Sequence, residues 1–209
     1  HQEYIPTPIK VEADWSAASY WYSMVSLIPE AEVTLLGLNK NSLQGDSNLV
    51  NLFPDLGVST EFIPDGVIIR KTKKSTKKFF HDFVNEPDLA QTFVVACCLL
   101  NIPFLFSGVQ SLKIKETDRI TVMAAELSKM GIRIHEMPDG LEIEGCGKIH
   151  GSKELRGHGD HRIVMALSVA AMAANEPSRI DTAEAISVTF PSYCSLMEDL
   201  GAKMKTVVE

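Results

Sequence analysis

Three segments of this 209-residue chain share one hydrophobic pattern. Each opens on Asp and runs into a nearly all-apolar stretch of helical length: "DWSAASYWYSMVSLI" from Asp14, "DLAQTFVVACCLL" from Asp88 and "DHRIVMALSVAAMAA" from Asp160. A helix that is apolar all round has no face to give to water, so these three are predicted in the interior. Short β-like stretches follow each, "AEVTLLGL", "IPFLFSG" and "SRIDT". An amphipathic helix then closes each unit on a glycine, at Gly57, Gly131 and Gly201. Glycine suits the left-handed position just past a helix end. The aspartates lie 74 and 72 residues apart and the glycines 74 and 70.

Two Asp-Gly turns inside alternating segments, "TEFIPDGVIIRK" and "IRIHEMPDGLEIEG", predict β-hairpins. The repeating unit reads β-α-β-α-β-β, twice complete, with a third copy ending in "AKMKTVV". A period near 70 residues exceeds the common solenoid repeats. The expected architecture is therefore α/β: a pseudo-threefold domain over residues 1–209, with buried central helices and sheets outside.

Composition narrows the function. A net charge of −7 and a pI near 5.4 argue against a general nucleic-acid binder. "RKTKKSTKK", Arg70 to Lys78, is basic at six of nine positions but sits beside a hairpin. An exposed loop or strand edge explains it without a nucleic-acid groove. Cys97 and Cys98 lie in an apolar run, and neither they nor Cys146 and Cys194 form a CxxC pair. They read as small reduced residues of a cytoplasmic protein. No apolar stretch approaches the roughly 20 residues of a membrane span, so no membrane association is expected.

The polar residues that remain gather at helix starts. "KETDR", Lys115 to Arg119, heads the second amphipathic helix, whose core stripe is Ile120, Met123, Leu127 and Met130. Glu116 is placed on that face, with Arg119 three residues on and in pairing reach. A capped helix with one such ion pair, a matter of about 0.2–0.5 kcal/mol, is the bland explanation. In "GHGDHR", His158, Asp160 and His161 invite a metal reading, but no third ligand group at helical spacing accompanies them. No GxSxG motif supports a serine hydrolase. Arginine forks beside carboxylates suit a substrate rich in carboxylate and phosphate, with the carboxylates moving protons.

"LKIKETDRI", "GDHRIVMALSVAA" and "VTFPSYCSLMEDLG", with "VEADWSAASYW" and "NEPDLAQT", closely resemble the 5-enolpyruvylshikimate-3-phosphate synthase family. The resemblance spans residues 11 to 200. It implies two domains of three β-α-β-α-β-β units each, this chain being one of them and the N-terminal domain of the same enzyme its absent partner. The implied reaction transfers the enolpyruvyl group of phosphoenolpyruvate to the 5-hydroxyl of shikimate 3-phosphate. It releases phosphate, passes through a tetrahedral intermediate, and needs no metal or organic cofactor.

By the same resemblance, Asp88 matches the aspartate at the reacting hydroxyl and is a candidate base. Glu116 matches the glutamate that moves protons at the enolpyruvyl carbon, and Lys115 matches a lysine on shikimate phosphate. Arg119 and Arg162 match the arginines that hold the phosphoenolpyruvate carboxylate. His161 is their neighbour, and Asp14 falls near the interdomain crossover. Two positions depart from the pattern. Val188 stands where many members have a lysine that contacts phosphoenolpyruvate, and Ser111, which can still hydrogen-bond shikimate phosphate, stands where many have asparagine. The UDP-N-acetylglucosamine enolpyruvyl transferase and a non-catalytic binding domain are the rival readings.

Overall fold

Asp14 begins the first buried helix by accepting the Ser16 backbone N–H at 2.8 Å, the hydrogen bond of an N-cap. In the computed structural model, which describes residues 2–145, 147–151, 154–205 and 207, that helix is α1 (Trp15–Leu27). The chain continues through β1 (Glu32–Leu36), α2 (Leu49–Leu52), β2 (Val58–Ile63), β3 (Gly66–Lys71) and β4 (Phe79–Asp82). Next come α3 (Ala90–Leu100), β5 (Phe104–Ser107), α4 (Arg119–Lys129), β6 (His135–Met137) and β7 (Gly140–Ile143). The last elements are α5 (His161–Ala173) and α6 (Tyr193–Asp199).

The three apolar helices α1, α3 and α5 pack against one another, and nearly every residue of α1 and α3 is buried. Cys97 and Cys98 are among these core residues, as expected; Cys194 is exposed, and Cys146 lies outside the described residues. Aromatic rings fill the space between α3 and the second sheet. Phe93 stacks on Phe79 at 5.7 Å, and Phe83 meets Phe106 edge-on at 5.0 Å.

Two sheets lie around these helices. One has the order β1-β3-β2, all antiparallel; the other has the order β4-β5-β7-β6, with β4 and β5 parallel across α3. Both predicted hairpins form, β2–β3 and β6–β7, turning at Asp65-Gly66 and Asp139-Gly140. No helix among the described residues is long and apolar enough to cross a membrane.

The repeat is less regular than its sequence pattern. Among the described residues, only the second unit holds all its strands. In the first, no strand among them precedes α1; a single bond from Ala13 N–H to Gly37 O, 2.9 Å, stands where β4 pairs with β5 in the second. In the third, the pairing is reduced to one parallel bridge, Leu155 to Ile180. Residues 202–205 of "AKMKTVV" form no strand, and Thr206 and Val208 lie outside the described residues. The first amphipathic helix also differs. Pro54 removes a backbone donor, and residues 45–56 become two 3₁₀ turns flanking the single turn α2. Gly57 ends this segment in the left-handed region, φ 80°, where a Cβ would come within 2.8 Å of the Thr72 carbonyl.

The basic stretch is structural. Arg70 bridges Glu32 and Glu61 across the first sheet, and Lys78 pairs with Glu142 at 2.8 Å. Lys71 donates to the Ser26 carbonyl in the last turn of α1, and Lys74 to the Leu100 carbonyl that ends α3. Two ammonium groups thus cap the negative ends of two buried helices, where carbonyls lack intrahelical donors.

Candidate active site

Asp88 sits in a 3₁₀ turn, Pro87–Leu89, immediately before α3. Unlike Asp14 and Asp160 it caps no helix, so both carboxylate oxygens remain for other partners. Three cations take them. Arg119 Nη1 is 2.9 Å from Oδ1, Lys115 Nζ is 3.7 Å from the same oxygen, and Arg162 Nη2 is 3.2 Å from Oδ2.

Arg119 is the hub. Its side chain is 1% exposed and meets three carboxylates from three parts of the chain. Nε donates to Asp160 Oδ2 at 2.7 Å and Nη2 to Asp160 Oδ1 at 3.3 Å. Nη2 also donates to Glu116 Oε2 at 2.5 Å. Asp160 is itself wholly buried and caps α5 by accepting the Arg162 backbone N–H at 2.9 Å. The carboxylate thus fixes Arg119 and the start of the helix that carries Arg162. The cap and the Glu116–Arg119 ion pair of the bland reading both exist, but that reading leaves Asp88 and Asp160 unexplained.

The helix begins later than the sequence pattern implies. Asp118 is the N-cap of α4, accepting the Thr121 N–H at 3.1 Å, so Lys115 and Glu116 lie outside the helix. They occupy the link between α4 and a 3₁₀ helix, Gln110–Ile114. Glu116 is therefore not on the Ile120 face of α4; it is half exposed and turned back onto Arg119. The link is anchored from below by the second Asp-Gly turn. Asp139 accepts the Val109 and Gln110 N–H groups at 3.0 and 3.1 Å, and Lys113 donates to the Pro138 carbonyl at 2.9 Å.

Ser111 is exposed on that 3₁₀ helix, and among the described residues no contact joins it to the Asp88 cluster. His161 and Arg162 share a cavity wall with Asp14, Tyr20 and Thr189. Burial and the neighbouring Arg162 charge pull His161 below the usual imidazole value, so it is neutral at pH 7. Burial opposes the charge on Arg162, but the acidic surroundings, the Asp88, Asp46 and Asp14 carboxylates among them, outweigh that and hold it charged. Val188 is largely exposed, one residue before Thr189. The His158 side chain turns away to Glu126, 3.2 Å off, while Asp160 holds Arg119, so the residues of the metal reading have separate partners.

Several residues of the site escape the sequence pattern. In "NSLQGD", Gln44 accepts the Trp15 N–H at 2.9 Å and donates to the Ala13 carbonyl at 2.9 Å, bracing the start of α1. Asp46 is buried and accepts the Ser16 hydroxyl; burial, aided by the Asp88 charge, raises its pKa against that hydrogen bond. Glu86, two residues before Asp88, is buried between His81 at 2.6 Å and Asn48 at 2.7 Å. It ties the Asp88 turn to β4 and to the 45–48 turn.

The family profile of EPSP synthase (3-phosphoshikimate 1-carboxyvinyltransferase) matches residues 1–197. A relative from Bacteroides fragilis (strain YCH46), called 3-phosphoshikimate 1-carboxyvinyltransferase, is 41% identical over 213 residues. That match covers 98% of this chain and 50% of the relative. A relative of the same name from Methanocaldococcus jannaschii is 36% identical over 205 residues, covering 98% of this chain and 47% of its own. Among solved structures, an EPSP synthase from Acinetobacter baumannii superposes with a TM-score of 0.78 at 25% identity. It covers 90% of this chain, which in turn covers 46% of it. The chain spans about half the length of the curated relatives it matches. It belongs to the EPSP synthase (3-phosphoshikimate 1-carboxyvinyltransferase) family.

Proposed function

We propose that this chain supplies one half of the active site for transfer of the enolpyruvyl group from phosphoenolpyruvate to the 5-hydroxyl of shikimate 3-phosphate. Residues 1–209 form one domain, and a second domain completes the phosphate ligands. The observation that carries the reading is the convergence of Lys115, Arg119 and Arg162 on the Asp88 carboxylate, with Glu116 on the far side of Arg119.

The chemistry follows from what each group has free. The Asp88 carboxylate accepts the proton of the 5-hydroxyl as that hydroxyl's oxygen attacks the enolpyruvyl carbon. Lys115 holds the shikimate phosphate. Glu116, at the solvent-facing edge, takes up a proton from solvent once Arg119 releases it. It gives that proton to the methylene carbon in the addition and takes one back in the elimination as phosphate leaves. Arg162 pairs only with Asp88 among the described residues, so it is the cation open to an incoming carboxylate. Arg119 has all three guanidinium nitrogens engaged and must first release Glu116 from Nη2. Substrate binding thereby frees the glutamate for proton transfer.

Phosphate release from phosphoenolpyruvate and shikimate 3-phosphate tests the reading. It is measured with this chain alone and with a chimaera carrying the complementary half of the Bacteroides fragilis relative. The chain alone is expected to be silent and the chimaera active. A folded chimaera with no turnover rejects the reaction, and UDP-N-acetylglucosamine is then the acceptor to try.

A further inference from the structure

Four carboxyls are buried among the described residues: Asp46, Glu86, Glu126 and Asp160. Asp160 and Glu126 hold the start of α5 and the loop before it, and Asp46 holds Ser16 at the start of α1. Glu86 remains, two residues before Asp88 and outside the proposed proton transfers.

Asp14 and Asp160 accept backbone N–H groups of the helices they open, and those bonds fix their side chains. Asp88 has no such bond, and no side chain caps its 3₁₀ turn. Its contacts are the cations Lys115, Arg119 and Arg162. In the proposed reaction those cations turn to the substrates, so they hold Asp88 firmly only in the empty site. During turnover its support must come from behind.

Glu86 is placed to supply it. Its Oε1 accepts the Asn48 amide N–H at 2.7 Å and lies 2.6 Å from His81 Nε2. Both partners are themselves fixed, as a second layer of support must be. The His81 ring, on β4, meets the buried Phe83 ring edge-on at 4.6 Å. Asn48 directly precedes Leu49, which is wholly buried. Between Glu86 and Asp88 stands Pro87, whose ring locks φ, and the Leu89 N–H closes the turn on the Glu86 carbonyl at 3.1 Å. A shift of Glu86 therefore passes to Asp88 with little slack.

We propose that Glu86 is a positioning residue: clamped to Asn48 and His81, it holds the Asp88 carboxylate in place among Lys115, Arg119 and Arg162. The inference rests on the reading that Asp88 is the base. Glu86 itself, 4% exposed, is too deeply buried to touch a substrate.

Crystal structures and steady-state kinetics of the chimaera test it. Glu86→Ala is expected to move the Asp88 carboxylate off Arg119 Nη1, 2.9 Å away in the wild type. It is expected to lower kcat by about 10- to 100-fold, measured well below the thermal midpoint. Glu86→Gln keeps an acceptor for Asn48 and His81 and is expected to restore the position of Asp88 and most of the rate. Asn48→Ala removes one bond of the clamp from a half-buried site; it gives a smaller loss, and takes the place of Glu86→Ala if that variant does not fold. In an Asp88→Asn background, removal of the clamp costs no further rate, because it acts only through Asp88.

An Asp88 carboxylate that stays in place without the clamp overturns the proposal. So does a lowered midpoint with kcat unchanged, the mark of a structural role alone, and so does an equal loss of rate in the Asp88→Asn background. If the folded chimaera shows no turnover, yet Asp88 moves when the clamp is removed and returns in Glu86→Gln, the reaction fails and the positioning of Asp88 by Glu86 stands.

Discussion

Arg119 of α4 and Asp160, the N-cap of α5, form a buried ion pair, Nε to Oδ2 at 2.7 Å, with 1% and 0% of their side chains exposed. Two ions leave water only where their hydrogen bonds are filled, and here they are. Asp160 accepts from Arg119 and from the α5 backbone, and Arg119 reaches Asp88 and Glu116 as well. Removing one partner strands the other as a buried charge, which costs about 3–5 kcal/mol. Asp160→Ala is therefore expected to lower the unfolding free energy in urea by that amount. Asp160→Asn costs less, since asparagine still caps α5. Arg119→Lys does not preserve stability, because an ammonium cannot span three carboxylates as the planar fork does.

Glu116 is the opposite case. It is 48% exposed and lies on a link, not in a helix, so little of the fold depends on it. Glu116→Gln is expected to leave the melting temperature nearly unchanged while lowering kcat of the active chimaera by about 10²-fold or more. A normal rate removes Glu116 from proton transfer.

Arg162 is separable from both by kinetics. Arg162→Ala is expected to raise KM for phosphoenolpyruvate more than KM for shikimate 3-phosphate, because it takes away the cation open to the carboxylate. Steady-state kinetics with each substrate varied in turn decide it; equal changes in the two KM values argue against a carboxylate contact.

Lys71 and Lys74 test the structural account of the basic stretch. Each ends on a carbonyl at the C-terminus of a buried helix, Ser26 in α1 and Leu100 in α3. Lys71→Met and Lys74→Met keep the apolar stem and remove the donor, and each is expected to destabilise the chain by about 1 kcal/mol in chemical denaturation. Lys73→Met and Lys77→Met, both at exposed positions, are expected to change nothing measurable.

How much of this was legible in the residues depended on where the signal came from. The buried helices announced themselves because an all-apolar run of helical length has only one environment. The hairpins did so because Asp-Gly fixes the turn locally. The cluster around Asp88 and Arg119 was legible through whole motifs, "KETDR" and "GDHR", not through any single charge. Residue spacing failed where a side chain took a partner far along the chain. Asp160 stood out as the residue that opens an apolar run and is also the buried anion of Arg119, 41 residues away. Glu86 belongs to no local pattern and is held by Asn48, 38 residues back. The start of α4 was misplaced because Asp118, not the charges before it, caps the helix. The outer strands that the first and third units lack among the described residues had no local signal, since a strand exists only where a partner pairs with it.

Glu126 gives the fold a pH dependence of known sign. It lies buried on α4 and accepts from Lys129 Nζ at 2.7 Å, the Arg156 N–H at 2.8 Å and His158 Nε2 at 3.2 Å. Burial alone would raise its pKa; those three donors outweigh it and hold the carboxyl below the usual glutamate value. The Arg156 and His158 contacts fasten α4 to the "GHGDHR" loop, where His158 adopts a left-handed backbone at φ 55° just before Asp160. A carboxyl whose pKa is depressed by folding stabilises the native state above its unfolded pKa, about 4.3, and stops doing so as pH falls through its folded value. Wild type is thus expected to exceed Glu126→Gln in stability by about 1–3 kcal/mol at pH 7. The gap narrows progressively below about pH 4.3 as the wild-type carboxyl takes up its proton. Urea titrations of both proteins at pH 7, 5, 4 and 3 measure it. A gap that stays constant to pH 3 would mean that Glu126 is not held ionised by these donors, and that the loop before Asp160 is fixed by its backbone turns alone.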